Sequence, residues 1–153
     1  MSDSQMAGEI AAAVIEALKS ERMTLEEALS IMKRGEEMAR SLHVPMVFTV
    51  VDDGGNMVAM HRMDDSLLAA ISVSHAKAYT AAALRISTEE AGKTVLPGQP
   101  LYGLQQTHPG KFCVFGGGVP LTSGGRFLGG LGVSGGTTEQ DIAVARHAAA
   151  SCP

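Results

Sequence analysis

Apolar residues recur at helical spacing near the start of the chain and gather into strand-like runs further along. Ile10, Val14 and Leu18 have the spacing of one helical face, and charged residues lie between them. Residues 1–22 are therefore expected to form a short amphipathic helix. Thr24 and Glu27 then have the spacing of a capping box, which predicts a second helix that ends near His43.

The middle of the chain predicts a hairpin, a helix and a long loop. Residues 46–51 and 57–63 are apolar runs joined by turn-forming residues, the pattern of a β-hairpin. Residues 66–84 are rich in alanine and contain no glycine or proline, which favours a helix. Residues 86–110 contain several glycines and prolines, so we expect short helical turns within a loop.

The last third predicts three more strands and a closing helix. The strands are expected at 112–115, 119–122 and 126–133, with glycine-rich turns between them. Thr137 or Thr138 is the expected cap of the helix, and Gln140 the box partner. This order of elements predicts an α+β domain with a five-stranded antiparallel sheet flanked by helices.

Composition narrows the range of partners. The chain has 153 residues, of which 45% are apolar and 18% charged, which is typical of one globular domain. The net charge is −4 and the basic residues are scattered, so nucleic acid is not an expected partner.

No apolar run reaches the roughly 20 residues that span a membrane. Cys113 and Cys152 lack metal-site spacing and the start of the chain is acidic, so a cytoplasmic protein is expected.

Two catalytic or nucleotide motifs are present in the wrong context. Gly130, Gly132 and Gly135 fit the dinucleotide-binding pattern, but no strand and acidic residue follow as that fold requires. Ser134 lies in a Gly-x-Ser-x-Gly sequence, but Asp141 and the following histidine would point to different faces of one helix. No catalytic residue is therefore predicted from these motifs.

Three stretches of the chain form a specific set of motifs. They are residues 51–56 with 62–65, then 77–78 with 80–82, then 117–121 with 129–141. Together they resemble the GlcG family, which includes haem-binding HbpS-type proteins and the C-terminal domain of PduO-type proteins. The resemblance covers about residues 24–150 and implies a profilin-like fold.

The resemblance also implies a function. It implies non-catalytic binding of haem or a related tetrapyrrole by a homo-oligomer, accessory to diol, glycerol or glycolate metabolism. In PduO-type domains the iron contact comes from a histidine early in the domain, and His43 is the residue in that position.

Side-chain patterns suggest further ligand contacts. Lys77 falls on the inward face of its helix, where it would pair with a ligand carboxylate such as a haem propionate, or with Asp52 or Asp64. Arg62 and His61 should point to opposite faces of their strand, so that only one of them lines a given pocket. Glycines near 117 and 135 would either cradle an anion or form tight turns. The predicted ligand-binding residues are Lys77, Asp52, Arg62, Asp64, Gly117, Gly118, Ser134, Gly135 and Gly136.

Two alternatives remain open at this stage. The first is an enzyme that acts on a small hydroxy acid or aldehyde, with Lys77 and either Asp52 or Asp64 as its acid and base. The second is a structural module carried into a bacterial microcompartment, in which residues 1–22 bind a shell protein. A helix of this length is marginal in water and needs a partner, which is either that shell or the rest of its own domain or oligomer.

Overall fold

A computed structural model gives the architecture of the chain and describes residues 2–19 and 22–150. Cys152 lies outside the described residues. The described helices are α1 (Asp3–Lys19), α2 (Leu25–Ser41), α3 (Ala69–Leu84), α4 (Thr88–Thr94), α5 (Leu104–Thr107) and α6 (Thr138–Ala149). The described strands are β1 (Val47–Asp52), β2 (Met57–Arg62), β3 (Gly118–Ser123) and β4 (Arg126–Ser134).

The strands form one antiparallel sheet in the order β2-β1-β4-β3. Helix α3 packs against β4, β1 and β3, and α2 and α6 pack against each other and against the sheet. The largest apolar core contains residues of α2, α6 and the sheet, with Phe48 and Leu131 fully buried. Gly130 and Gly132 of β4 allow α3 to lie close, because a Cβ at either position would collide with the α3 backbone.

The expected fifth strand at 112–115 is wrong. This segment is outside the sheet, and the N–H of Cys113 donates to Thr80 Oγ1 on α3 at 2.9 Å. The side chain of Thr80 therefore satisfies a backbone group that a neighbouring strand would otherwise bind. The antiparallel α+β class is confirmed, with four strands instead of five in the described part of the chain.

Most helix boundaries follow the local signals. The capping boxes are present at Thr24 with Glu27 and at Thr137 with Gln140, which confirms both predicted helix starts. The loop at 86–110 contains two short helices, α4 and α5, as expected. Helix α3 begins at Ala69, three residues later than position 66, because Ser66 donates its N–H and hydroxyl to Met63 O in a preceding turn.

Helix α1 lies within the segment predicted as an amphipathic helix, and its described side chains are all exposed. The apolar residues Met6, Ile10, Val14 and Leu18 are each between 46% and 59% exposed. None of the described helices is long and apolar enough to cross a membrane. The boundary between residues 1–22 and a domain at 24–150 stays a prediction.

Candidate functional site

The predicted site residues fall into three places in the fold. His43, Arg62 and Asp64 lie together on the surface beside β2. Lys77 lies in the interior, with Gly117 and Gly136 near it. Asp52 is the last residue of β1, and its Oδ1 accepts from the N–H groups of Gly54 and Asn56, so its side chain stabilises the β1–β2 turn.

His43 is placed by the end of α2. Its φ is 55°, and its N–H donates to Arg40 O while the N–H of Val44 donates to Ala39 O. This left-handed residue stops the helix and turns the chain toward β1. The His43 side chain lines a depression of about 270 Å³ whose other walls include Val44, Pro45 and Met63.

A second depression adjoins the first. It has a volume of about 380 Å³ and is lined by Glu36, His61 and Arg62, and it shares Met63 and Asp64 with the His43 depression. The two depressions together are called the histidine face. His61 and Arg62 both line it, so the expectation that only one of them could see a given pocket is wrong. β2 is an edge strand, and its exposed end allows both long side chains to reach the same open surface.

Glu36 connects the two depressions. Its Oε1 lies 2.6 Å from His61 Nδ1, and its Oε2 lies 3.3 Å from Arg40 Nη2. The carboxylate therefore fixes the orientation of the His61 ring and leaves its Nε2 directed away from this contact. Sequence reasoning missed Glu36, and its position one helical turn before Arg40 was the available signal.

Lys77 is fully buried, with 0% of its surface exposed. Its Nζ lies 2.7 Å from Asp141 Oδ2, donates to Val133 O at 2.9 Å, and lies 5.0 Å from the centre of the Phe115 ring. These four groups are called the lysine cluster. The expected pairing with Asp52 or Asp64 is wrong, and Asp141 is the partner. The side chain is also closed to any propionate in this conformation.

Asp141 lies in the first turn of α6, and its side chain binds the backbone of the segment that precedes this helix. Its Oδ1 accepts from the Gly136 N–H at 2.9 Å. Burial raises the pKa of the Asp141 carboxyl, and the hydrogen bond and positive charge of Lys77 oppose that rise. The sequence offered one signal for this residue: an inward-facing lysine requires a buried acid, and few acids lie on inward helical faces.

The glycines pack around the lysine cluster. A Cβ on Gly117, whose φ is 116°, would lie 2.8 Å from Lys77 Nζ and 2.6 Å from Val133 O. The N–H of Gly118 donates to Thr88 Oγ1 at 2.8 Å, and that of Gly136 is taken by Asp141. Ser134 is 7% exposed at the end of β4, and Gly135 has a φ of 142°. In this structure these residues close the interior instead of forming an open anion cradle.

No group of three or more His, Cys, Asp or Glu side chains that could hold a metal ion occurs in residues 2–19 and 22–150. The histidine face supplies the imidazoles of His43 and His61 in separate depressions, with the cation Arg40 beside His43. Such a surface suits a metal that arrives inside an organic ligand, because the ligand supplies the remaining donors.

Residues 23–150 match the family described as haem degrading protein HbpS-like. The chain belongs to the HbpS-like family. It is 45% identical over 126 residues to an uncharacterized 15.0 kDa protein in the dhaT-dhaS intergenic region of Citrobacter freundii, covering 82% of this chain and 89% of that one.

Other relatives share the fold over a similar length. The corrinoid adenosyltransferase PduO of Citrobacter freundii is 39% identical over 129 residues, which are 84% of this chain but 38% of that protein. A crystal structure named PduOC:Heme complex has a TM-score of 0.81 and 38% identity, covering 84% of this chain and 94% of that one. The predicted GlcG, HbpS and PduO resemblance is confirmed for this HbpS-like chain.

Proposed function

We propose that this chain binds haem or a related tetrapyrrole at the histidine face. The observation that carries the proposal is the exposed His43 side chain at the rim of an open depression that contains Met63 and Arg40. Membership of the HbpS-like family, and 38% identity to the chain in the PduOC:Heme complex, support haem as the ligand.

The residues of the histidine face fit the parts of a haem. An imidazole is a common axial ligand of haem iron, and His43 offers one. Val44, Pro45 and Met63 offer apolar surface for a flat ring. Arg40 and Arg62 offer guanidinium groups for the propionates. When bound, haem would bring its iron to this surface, and the protein would supply the axial contact and the charge.

An open face also favours an oligomer. Ligand sites usually bury most of the ligand surface, but two shallow depressions cover one side of a flat ring. A second copy of the chain placed over the ring would cover its other side. We therefore propose a homo-oligomer, and light scattering with and without hemin measures its mass. A monomer in both conditions would contradict this part of the proposal.

Hemin titration tests the site. We expect a saturable shift of the Soret band with the parent protein and a loss of that shift in His43→Ala. His147→Ala is the matched control, because His147 is exposed on α6 outside the histidine face. An unchanged titration in His43→Ala would contradict the assignment of His43 as the iron ligand. Absence of saturable binding in the parent would contradict the proposed haem-binding function.

The exposed apolar face of α1 supports a second role. We propose that residues 1–22 dock on a shell protein of a bacterial microcompartment within the cytoplasm, and that the chain serves diol, glycerol or glycolate metabolism there. Val14→Glu should abolish co-sedimentation with shell protein, whereas Gly8→Ala, a change into open space, should not. Equal co-sedimentation of both variants would contradict the docking role.

The alternative of an enzyme that uses Lys77 has little support. Its amine is buried and held by Asp141 and Val133, so no substrate carbonyl can approach Nζ without a rearrangement. Borohydride trapping with a small aldehyde measures this directly. We expect no adduct at Lys77, and a stoichiometric Lys77 adduct would restore the alternative.

A further inference from the structure

The outer side of α3 carries a cleft with two arms of different chemistry. The larger arm has a volume of about 460 Å³, and the smaller one about 220 Å³. Ser72, Ala76 and Gly110 line both arms, so the two form one continuous cleft between α3 and the segment before β3. Neither arm shares a residue with the histidine face.

The larger arm is apolar. Val73, Phe112, Val114 and Phe115 line it, and none of the described residues along this arm carries a formal charge. Cys113 also lines it and is 7% exposed. Burial raises the pKa of the Cys113 thiol, although the Phe115 N–H and the nearby Lys77 charge act against the rise. This arm therefore presents aliphatic groups, two aromatic rings and a neutral thiol.

The smaller arm is polar and basic. His75, Tyr79 and Lys111 line it, with Gly55 of the β1–β2 turn at its edge. Lys111 Nζ lies 5.0 Å from the centre of the Tyr79 ring, which holds the ammonium group at this end of the cleft. An imidazole, a phenol and an ammonium in one small space are the donors that a carboxylate accepts from.

The walls of the cleft are well supported. Tyr79 and Phe112 have ring centres 5.9 Å apart, and Phe112 makes an edge contact with His108 at 5.6 Å. The Cys113 N–H is bound to Thr80 Oγ1 on the buried side of α3. The segment that carries the apolar arm is thus fixed to the helix that carries the basic arm, so the cleft is formed before any ligand arrives.

We propose that this cleft is a second binding site, which takes a small molecule with a flat apolar body and one carboxylate. The body occupies the apolar arm and the carboxylate binds Lys111 and His75. The volume of the apolar arm lies within the range of pockets for small molecules, roughly 300 to 1,000 Å³. The cleft is separate from the histidine face, so the proposal does not depend on haem binding there.

Two probes that differ in one charge test the proposal. They are 2-naphthoate and 2-naphthalenemethanol, titrated by naphthyl fluorescence. We expect saturable binding of one naphthoate per chain and weaker binding of the neutral alcohol. Lys111→Met should weaken naphthoate binding about threefold to tenfold and leave the alcohol unchanged. Lys33→Met is the matched control, an exposed lysine on α2 away from the cleft, and should leave both probes unchanged.

Ser72→Trp tests the location. Ser72 is exposed on α3 and lines both arms, so an indole there fills the cleft from a surface position that tolerates it. We expect this variant to lose both probes and to keep the parent's circular dichroism and hemin titration. Naphthoate binding equal to that of the parent would place the probe elsewhere and overturn the proposal, as would no saturable binding in the parent.

Hemin separates this proposal from the proposed function. If His43→Ala abolishes the Soret shift and keeps naphthoate binding, the two sites are independent, as proposed. If hemin displaces naphthoate and Ser72→Trp loses the Soret shift, the cleft is itself the tetrapyrrole site, and both the second-site proposal and the His43 assignment are overturned. If the parent protein binds naphthoate but not hemin, the proposed haem-binding function is refuted and the proposed second site in the cleft is retained.

Discussion

The lysine cluster and the histidine face both hold an acid beside a basic group at hydrogen-bonding distance, yet their surroundings differ. Lys77 and Asp141 are 2.7 Å apart with side chains 0% and 5% exposed. His61 and Glu36 are 2.6 Å apart, with side chains 44% and 15% exposed. A buried pair is costly to break because a lone charge stays out of water, whereas in a pair with one partner at the surface water can replace that partner. A similar acid–base contact therefore stabilises the fold in the interior, whereas at the surface its side chains remain available to a ligand.

Removing the ammonium from the lysine cluster should give the largest effect. Lys77→Met keeps the length of the side chain but leaves Asp141 buried without its cation. We expect a loss of about 3 to 5 kcal/mol in the free energy of unfolding at neutral pH. Urea denaturation followed by circular dichroism measures it.

A double variant separates the charge from the packing. Lys77→Met with Asp141→Asn removes both charges but keeps an oxygen that accepts from the Gly136 N–H, and should recover more than half of the loss because no unpaired ion remains. A double variant as unstable as Lys77→Met would show that the cost is not electrostatic. Val133 O, which accepts from Lys77, stays without that donor in both variants.

The same substitution should make stability depend on pH. In Lys77→Met both favourable effects of Lys77 on the carboxylate are absent, so burial raises the pKa of Asp141 further above its ordinary value of 3.8. Above that value the unfolded carboxyl is ionised while the folded one still holds its proton. The folded state then binds more protons, and the free energy of unfolding falls as pH rises, by up to about 1.4 kcal/mol per pH unit, until the folded pKa is passed.

Urea denaturation at pH 5 and pH 7 measures this dependence. The deficit of Lys77→Met relative to the parent should be larger at pH 7. Lys77→Met with Asp141→Asn is the control, because position 141 no longer titrates in it, and Lys77→Met should lose stability relative to this control between pH 5 and pH 7. A Lys77→Met deficit that shrinks as pH rises would have the wrong sign for a carboxyl with a raised pKa.

The capping boxes and the lysine cluster differ in how far the sequence could predict them. The capping boxes involve residues three positions apart, and all their determinants lie within one helical turn, so they were predictable. Lys77 and Asp141 are 64 residues apart, so their pairing depends on how α6 packs against the sheet. The inward position of Lys77 predicted a buried partner and could not identify it.

The histidine face shows a different limit. Strand alternation placed His61 and Arg62 on opposite faces, which holds inside a sheet. At the exposed end of an edge strand both side chains reach one surface. The local sequence does not show which strand lies at the edge of the sheet, so this arrangement could not be predicted. The prediction of a strand at 112–115 was wrong for a related reason. Its apolar residues suit a strand, but the hydroxyl of Thr80 on α3, and not a neighbouring strand, accepts a hydrogen bond from its backbone.

That hydroxyl provides the next prediction. Thr80→Val keeps the shape of the side chain and leaves the Cys113 N–H without an acceptor in a buried place. We expect a loss of about 1 to 3 kcal/mol in the free energy of unfolding and faster hydrogen exchange at the Cys113 amide. Thr94→Val is the matched control, because the Thr94 hydroxyl donates to Ala91 O within its own helix. Equal exchange at the Cys113 amide in the parent and in Thr80→Val would show that this bond does not hold the segment.

The smallest effect is expected at the histidine face. Glu36→Gln removes the negative charge between His61 and Arg40 but keeps an oxygen that can accept a hydrogen bond. Because the side chains of His61 and Arg40 are 44% and 60% exposed, water replaces most of the lost attraction, and the free energy of unfolding should change by less than about 1 kcal/mol. Glu37→Gln, at the exposed neighbouring position, provides the background value under the same urea titration. A loss from Glu36→Gln as large as that from Lys77→Met would mean that exposure does not distinguish the two pairs, and that the histidine face is a structural element instead of a surface kept for a ligand.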